Sequence, residues 1–96
     1  MTAMKEPLSI DDAKREILRR LRVGEVRRME HFERECRKDG VLPLAAQSLL
    51  TAGFVEFSEF EGGEWRYRVK NGRAVVVVTF GGADRLNLVT FFLKRR

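Results

Sequence analysis

The dipeptide Asn71-Gly72 lies between two runs, residues 64–70 and 73–80, in which β-branched and aromatic side chains recur. Asn-Gly between such runs is the strongest short-range hairpin signal, because both central residues of a type I′ turn need φ above zero. A two-residue loop there predicts Lys70 opposite Arg73, Arg68 opposite Val75 and Arg66 opposite Val77, all on one face of the ribbon. The other face then carries Trp65, Tyr67, Val69, Ala74, Val76, Val78 and Phe80. Burying that set removes far more apolar area from water, so it is the face expected to meet helices. Continuing the ladder through Gly62-Gly63 predicts Glu59 opposite Arg66 and Phe57 beside Arg68, and residues 81–84 separate a last run over 86–93. The four runs, 54–60, 64–70, 73–80 and 86–93, predict a four-stranded antiparallel meander.

The first half of the chain has the helical period instead. Ser9 followed by Asp12 forms a capping box, and Ala13, Ile17, Leu18 and Leu21 share one stripe, with Lys14, Arg15, Arg19 and Arg20 on the polar side and Gly24 as the stop. Residues 25–30 read as a brief strand or a turn. A second helix is predicted from His31, with Met29, Phe32 and Cys36 on its apolar side and Glu33, Arg34, Arg37 and Lys38 on the other, ending at Asp39-Gly40. Pro43 suits the first turn of a third helix over 42–52 that Gly53 ends; its Leu44, Ala45, Leu49, Leu50 and Ala52 predict that it is largely buried. The expected fold is therefore α+β, three helices packed on one face of the meander. It forms a single domain over 1–96, with an ordered core at 8–93 and fraying tails at 1–7 and 94–96.

Ninety-six residues fit one small core. Nineteen Lys plus Arg against fourteen Asp plus Glu leave a net charge of +5, which makes an anionic partner such as nucleic acid the first to test. No apolar run approaches the roughly 20 residues that span a bilayer, and residues 1–12 lack the apolar stretch of a signal peptide, so a cytoplasmic protein with no membrane partner is expected. Cys36 has no second cysteine to pair with, and with His31 as the sole histidine no Cys/His zinc site can be assembled. Neither a metal nor a cofactor is expected.

The basic strand face, Arg66, Arg68, Lys70 and Arg73, is the leading nucleic-acid-binding candidate. Guanidinium groups fixed on a sheet meet phosphate oxygens bidentately, and Phe57 or Phe92 beside them offers a ring on which a base can stack. The plainer alternative is that these cations solvate an open sheet face, and Glu59 opposite Arg66 would neutralise one of them. His31 is the one side chain that ordinarily exchanges a proton near neutrality, and Glu35 stands four residues on, where a helix would let it orient the imidazole. Cleaving RNA by attack of the 2′-hydroxyl needs a base, an acid and positive charge at phosphorus, which nominates His31, Glu35 and Arg68 as the catalytic set of a metal-independent endoribonuclease. The competing reading makes His31 a helix cap or a surface residue. Cys36 reads as a small buried hydrophobe, Trp65 and Tyr67 as core, and the Gly-Gly pairs as turns.

The segments Gly24-Glu25-Val26, His31-Phe32-Glu33-Arg34-Glu35-Cys36, Gly40-Val41, Trp65-Arg66-Tyr67-Arg68-Val69 and Val89-Thr90 together resemble an uncharacterised bacterial domain family grouped near the BrnT and RelE toxins. The resemblance spans residues 24–93 and implies a ribonuclease-toxin-like α+β fold, with helices on one side of a curved antiparallel sheet and RNA approaching basic residues on the other. It also implies a cognate antitoxin as a protein partner. His31, Gly40 and Val41 stand where that pattern has its His and Gly-Ile, whereas Glu35 and Asp39 replace two arginines and reverse the local charge. Two other classes remain open on the residues alone. One is a non-catalytic interaction or homodimerising domain using Phe57, Leu86, Leu88 and Phe92 as its patch. The other is a winged-helix DNA-binding module with residues 44–52 as recognition helix, in which only Gln47, Ser48 and Thr51 would reach base edges.

Overall fold

Capping and turn residues act where the sequence places them. In the structure, a computed structural model that describes residues 4–94, α1 (Ile10–Val23) opens on Ser9, whose Oγ accepts from the Asp12 amide at 3.1 Å. It is followed by β1 (Glu25–Arg28), α2 (Glu30–Lys38) and α3 (Pro43–Ala52), and then by β2 (Phe54–Glu61), β3 (Glu64–Asn71), β4 (Ala74–Gly81) and β5 (Arg85–Leu93). The architecture is α+β with three helices, and no helix among the described residues is long and apolar enough to cross a membrane.

The sheet has five strands rather than four and is mixed rather than antiparallel, in the order β1-β5-β4-β3-β2. The last four strands form the antiparallel meander. The addition is β1, which pairs parallel to β5 from Glu25↔Arg85 to Arg28↔Leu88. Four residues are too few to display a period. Their anchor is remote in sequence: the Glu25 amide donates to Asp84 O at 3.0 Å, and a Cβ on Gly24 would stand 2.2 Å from that same oxygen. Gly24 is thus a point of close backbone approach as well as a helix stop.

The hairpin register is also corrected. Lys70 pairs with Val75 and Arg68 with Val77, two residues from the expected partners, because Asn71 stays in the strand opposite Ala74 and the turn is Gly72-Arg73. Asn71 is held there by tertiary structure, its Nδ2 donating to Leu49 O at the end of α3 at 3.1 Å. Gly72 alone takes positive φ, +62°, the requirement of a type II′ turn with Gly at its first central position. A slip of two leaves every strand side chain on its expected face, whereas a slip of one would invert them all. Gly62-Gly63, both with positive φ, sets Glu59 opposite Arg66 and Phe57 opposite Arg68 as expected.

The core lies between the helices and the predicted apolar face: Ala13, Ile17, Phe32, Cys36, Ala46 and Leu50 pack on Tyr67, Val69, Val76, Val78, Leu86, Leu88 and Phe91. Leu86 and Leu88 are therefore unavailable to the surface patch expected of them. α3 is not largely buried. Ala46 and Leu50 are its buried residues, while Leu44 is 65% and the N-cap Leu42 74% exposed. Arg20 departs from the polar side assigned to it and is only 2% exposed. Its guanidinium donates to Arg85 O at 2.7 Å, Gly82 O at 3.2 Å and Gly81 O at 3.3 Å, pairs through Nε with Glu16 Oε2 at 2.6 Å, and lies 4.9 Å from the centre of the Phe80 ring. It closes the β4–β5 turn onto α1. Residues 6–8 are tied down rather than frayed: the buried Tyr67 hydroxyl donates to Glu6 Oε2 at 2.8 Å and accepts from the Leu8 amide at 3.0 Å. Lys94 is likewise held, its amide donating to Arg73 O at 2.7 Å. Fraying at 1–3 and 95–96 lies outside the described residues.

Candidate functional site

Alternation along β3 turns Arg66, Arg68 and Lys70 away from the helices onto an open sheet face. Register then aligns side chains across that face. Glu59 pairs with Arg66, Tyr67↔Val78 puts Thr79 on the next rung beside Arg66, Thr79 pairs with Asn87, and Asn87 with Arg27. A polar row consequently runs from β2 to β1. Arg85 lies one rung further along, opposite Gly81 on β4 and Glu25 on β1.

These residues and the start of α2 enclose a cleft of about 520 Å³. Arg27, Arg66 and Arg85 contribute guanidinium groups from three strands, Met29 and Val89 are its apolar surface, and Glu30 and His31 form the rim at the first turn of α2. Met29, the N-cap of that helix, has no side-chain hydrogen bond to offer the first-turn amides. Among the described residues no carboxylate lies within 4.0 Å of the charged nitrogens of Arg27 or Arg85. Arg66 is partly neutralised by Glu61 at 3.9 Å and Glu64 at 3.8 Å. The Nε atoms of Arg66 and Arg85 are buried and make no hydrogen bond among the described residues, and the same holds for that of Arg68 outside the cleft. Gly81 makes the arrangement spatially feasible: a Cβ there would stand 2.8 Å from Arg85 Nε and 3.0 Å from Asn87 Nδ2. Asn87 Nδ2 in turn donates to the buried Thr79 Oγ1 at 3.1 Å, which fixes the amide along the row.

Of the residues nominated from the sequence, His31 and Arg66 meet in this cleft and the others do not. His31 is exposed, and its Nδ1 lies 3.4 Å from Arg34 Nη2. A guanidinium only donates, so in this contact Nδ1 is the accepting atom. Glu35 is turned along α2 to Lys38 at 3.8 Å rather than to the imidazole. Arg68 is stacked between Phe57 and Phe92, 5.0 Å from each ring centre, so the rings expected to take a base each have a guanidinium on one side. Lys70 lies beyond Arg68, opposite Val75, and Arg73 sits in the turn with Nε donating to Lys94 O at 3.1 Å. Sequence reasoning misses Arg27, Arg85, Asn87 and Glu30. Arg85 and Asn87 are readable from the alternation around Leu86, whereas Arg27 requires knowing that 25–28 is a strand.

The remaining perturbed groups lie elsewhere. Burial, with Asp39 and Glu33 nearby, raises the Cys36 thiol to about 11, and burial raises the Tyr67 hydroxyl to about 12. Both belong to the core, as expected for the thiol. Among the described residues no group of three or more His, Cys, Asp or Glu is placed to hold a metal ion. A helix, a short strand and two helices precede a hairpin, but that hairpin is continuous with the five-stranded sheet rather than free as a wing, and α3 has neither Lys nor Arg. Comparison with protein-family models, curated proteins and solved structures finds no match.

Proposed function

We propose that the chain binds single-stranded RNA across the open face of its sheet, seating a phosphodiester in the cleft between Arg27, Arg66 and Arg85, and that His31 makes the cleft a site of metal-independent RNA cleavage. The observation that carries this reading is the convergence of guanidinium groups from β1, β3 and β5 on the cleft rimmed by the chain's sole histidine. Bidentate guanidinium donors match phosphate oxygens, and two of these three have no carboxylate partner to displace among the described residues. The cleft is the size of a nucleotide-scale ligand site. Attack of a 2′-oxygen on the adjacent phosphorus requires a proton to leave the 2′-hydroxyl and another to reach the departing 5′-oxygen. His31, Glu30, which faces Arg34 at 3.8 Å, and Glu64 are the proton carriers lining the cleft, and Arg27 and Arg85 supply charge for the developing phosphorane. Glu30 takes the part that helical spacing assigns to Glu35. The resemblance to the grouping near BrnT and RelE agrees with this chemistry and makes a toxin-like role its biological form.

The test is binding of fluorescent single-stranded RNA over a salt series, with the incubated RNA resolved on a gel. Arg27→Ala/Arg85→Ala is expected to weaken binding at least about tenfold and to reduce the salt slope by about 1.4, about 0.7 for each arginine that no longer neutralises a phosphate of a single strand. His31→Ala is expected to retain binding and give no products. Wild type that binds without giving products limits the cleft to binding. Equal affinity in wild type and the double arginine variant refutes the site.

A further inference from the structure

Among the described residues β2 ends the sheet and pairs on one side only, with β3. Counting the antiparallel alternation from the two-residue turn at Gly62-Gly63, the N–H and C=O groups of Ser58 and Phe60 point outward from this edge. Exposed edges are ordinarily blunted by lysine, by proline or by a covering element. Phe54–Glu61 has three glutamates and no Lys, Arg or Pro, in a chain with nineteen Lys plus Arg. Its one bulge, at Glu56, lies towards the start and leaves residues 57–61 in regular register. Along that stretch Phe57 is 40% and Phe60 61% exposed, and Glu59 and Glu61 are exposed on the open-face side. Phe60, on the opposite side, is steadied edge-on against Trp65 with ring centres 5.4 Å apart.

We propose that the free edge of β2 docks an extended cationic segment of another polypeptide by strand addition. Lys or Arg at alternate positions faces Glu59 and Glu61, and apolar side chains at the positions between them lie against Phe60. Main-chain bonds to Ser58 and Phe60 supply affinity, and the alternating side chains supply selection. Charge decides the occupant. A second copy would bring the same three glutamates to a ladder that already holds three, with no cation on either strand, and like charges across a ladder repel. A cationic strand meets them with opposite charge at ordinary cross-strand spacing. The RNA cleft lies mainly at β5 and β1 but shares Arg66 with this edge, since Glu59 pairs with Arg66 and Glu61 lies 3.9 Å from it. Ser58→Pro leaves all three side chains in place and so separates peptide docking from RNA binding.

The experiment titrates the full chain, labelled with nitrogen-15, with a nine-residue peptide that alternates lysine and valine. Saturable shifts are expected at the Ser58 and Phe60 amides and none at the first turn of α2. Glu59→Lys/Glu61→Lys should weaken the peptide by about tenfold or more, since it reverses two cross-strand pairs. Ser58→Pro, which removes an outward N–H that β3 does not use, should abolish binding while the circular dichroism spectrum is kept. A peptide alternating glutamate and valine should not bind. The proposal is overturned by unchanged affinity in Glu59→Lys/Glu61→Lys, by shifts that map elsewhere or fail to appear, or by equal binding of the glutamate peptide. A peptide-free dimer that Ser58→Pro dissociates also overturns it, by assigning the edge to a second copy.

Discussion

Replacing Arg20 by methionine isolates what a buried guanidinium does for this fold. Methionine keeps an unbranched apolar stem in the space between α1 and the β4–β5 turn but removes every donor. Three carbonyls, Gly81 O, Gly82 O and Arg85 O, are left without their charged partner, and Glu16 keeps only one of its two arginines. Breaking a buried pair by removing one member typically costs about 3–5 kcal/mol. Glu16 retains Arg19 at 2.5 Å and is 21% exposed, which places the effect near the lower end, at about 3 kcal/mol. For a domain of this length each kcal/mol moves Tm by roughly 4–8 °C, so thermal unfolding followed by circular dichroism should midpoint about 15 °C lower. Urea melts should show the same destabilisation with an unchanged slope. Arg20→Lys should fall between the two, because one ammonium cannot reach Glu16 and all three carbonyls. Glu16→Leu/Arg20→Met should recover part of the stability, since the abandoned carboxylate is then gone. A Tm for Arg20→Met within about 4 °C of wild type would refute the reasoning: the three carbonyls would then be satisfied without the guanidinium.

Three further outcomes follow from the geometry of the fold and the cleft. The Glu16 carboxyl is held below its ordinary value of 4.5 by the hydrogen bond from Arg19 first, with burial opposing and Arg20 adding to the lowering. Its contribution is therefore complete above pH 4.5 and lost as pH falls below that value, and urea melts on the acid side should show a shallower pH dependence in Glu16→Gln than in wild type. Cys36 is fully buried with its thiol raised to about 11, so a thiol reagent at mildly alkaline pH should modify it only as fast as the protein opens; rapid reaction in native conditions would contradict its place in the core. Gly81→Ala puts a methyl 2.8 Å from Arg85 Nε, a side-chain end that can move. Tm should change by only a few degrees while RNA affinity falls several-fold, and unchanged affinity would detach Arg85 from the site.

What can be read from the chain divides by how far apart the deciding atoms are in sequence. Ser9 with Asp12 and the Gly62-Gly63 turn depend on residues within a few positions, and both form as expected. Asn71 carries an equally strong local signal, yet Leu49 O competes for its side chain from 22 positions away and moves the turn by one residue. Arg20 has the sequence neighbourhood of a solvent-facing helix residue, and it is buried because the carbonyls it serves arrive 61 to 65 positions later. Placing Glu35 beside His31 follows from a sound i,i+4 rule, but that rule permits several partners and Lys38, three residues on, takes the carboxylate.

The candidate site is the extreme case of the same principle. Its three arginines and its histidine stand at positions 27, 66, 85 and 31, so no sequence window contains them, and the strand face alone points to Arg66 and overlooks the other two arginines. Without β1, the edge of β5 would be open and Arg66, Asn87 and Arg85 would be cations and an amide on a solvated sheet, the plainer reading of that face. With β1 paired to β5, Arg27 is placed opposite Asn87, and the chain leaving the strand turns directly into α2 and brings Glu30 and His31 to the rim. The four residues with the weakest secondary-structure signal in the chain are thus what converts a basic surface into a walled site. The backbone approach that seats them is that of Gly24 to Asp84 O. Gly24→Ala forces a methyl to within 2.2 Å of that oxygen, so the β1–β5 register has to shift. RNA affinity in that variant should then fall as far as in Arg27→Ala/Arg85→Ala, even though every charged residue is still present.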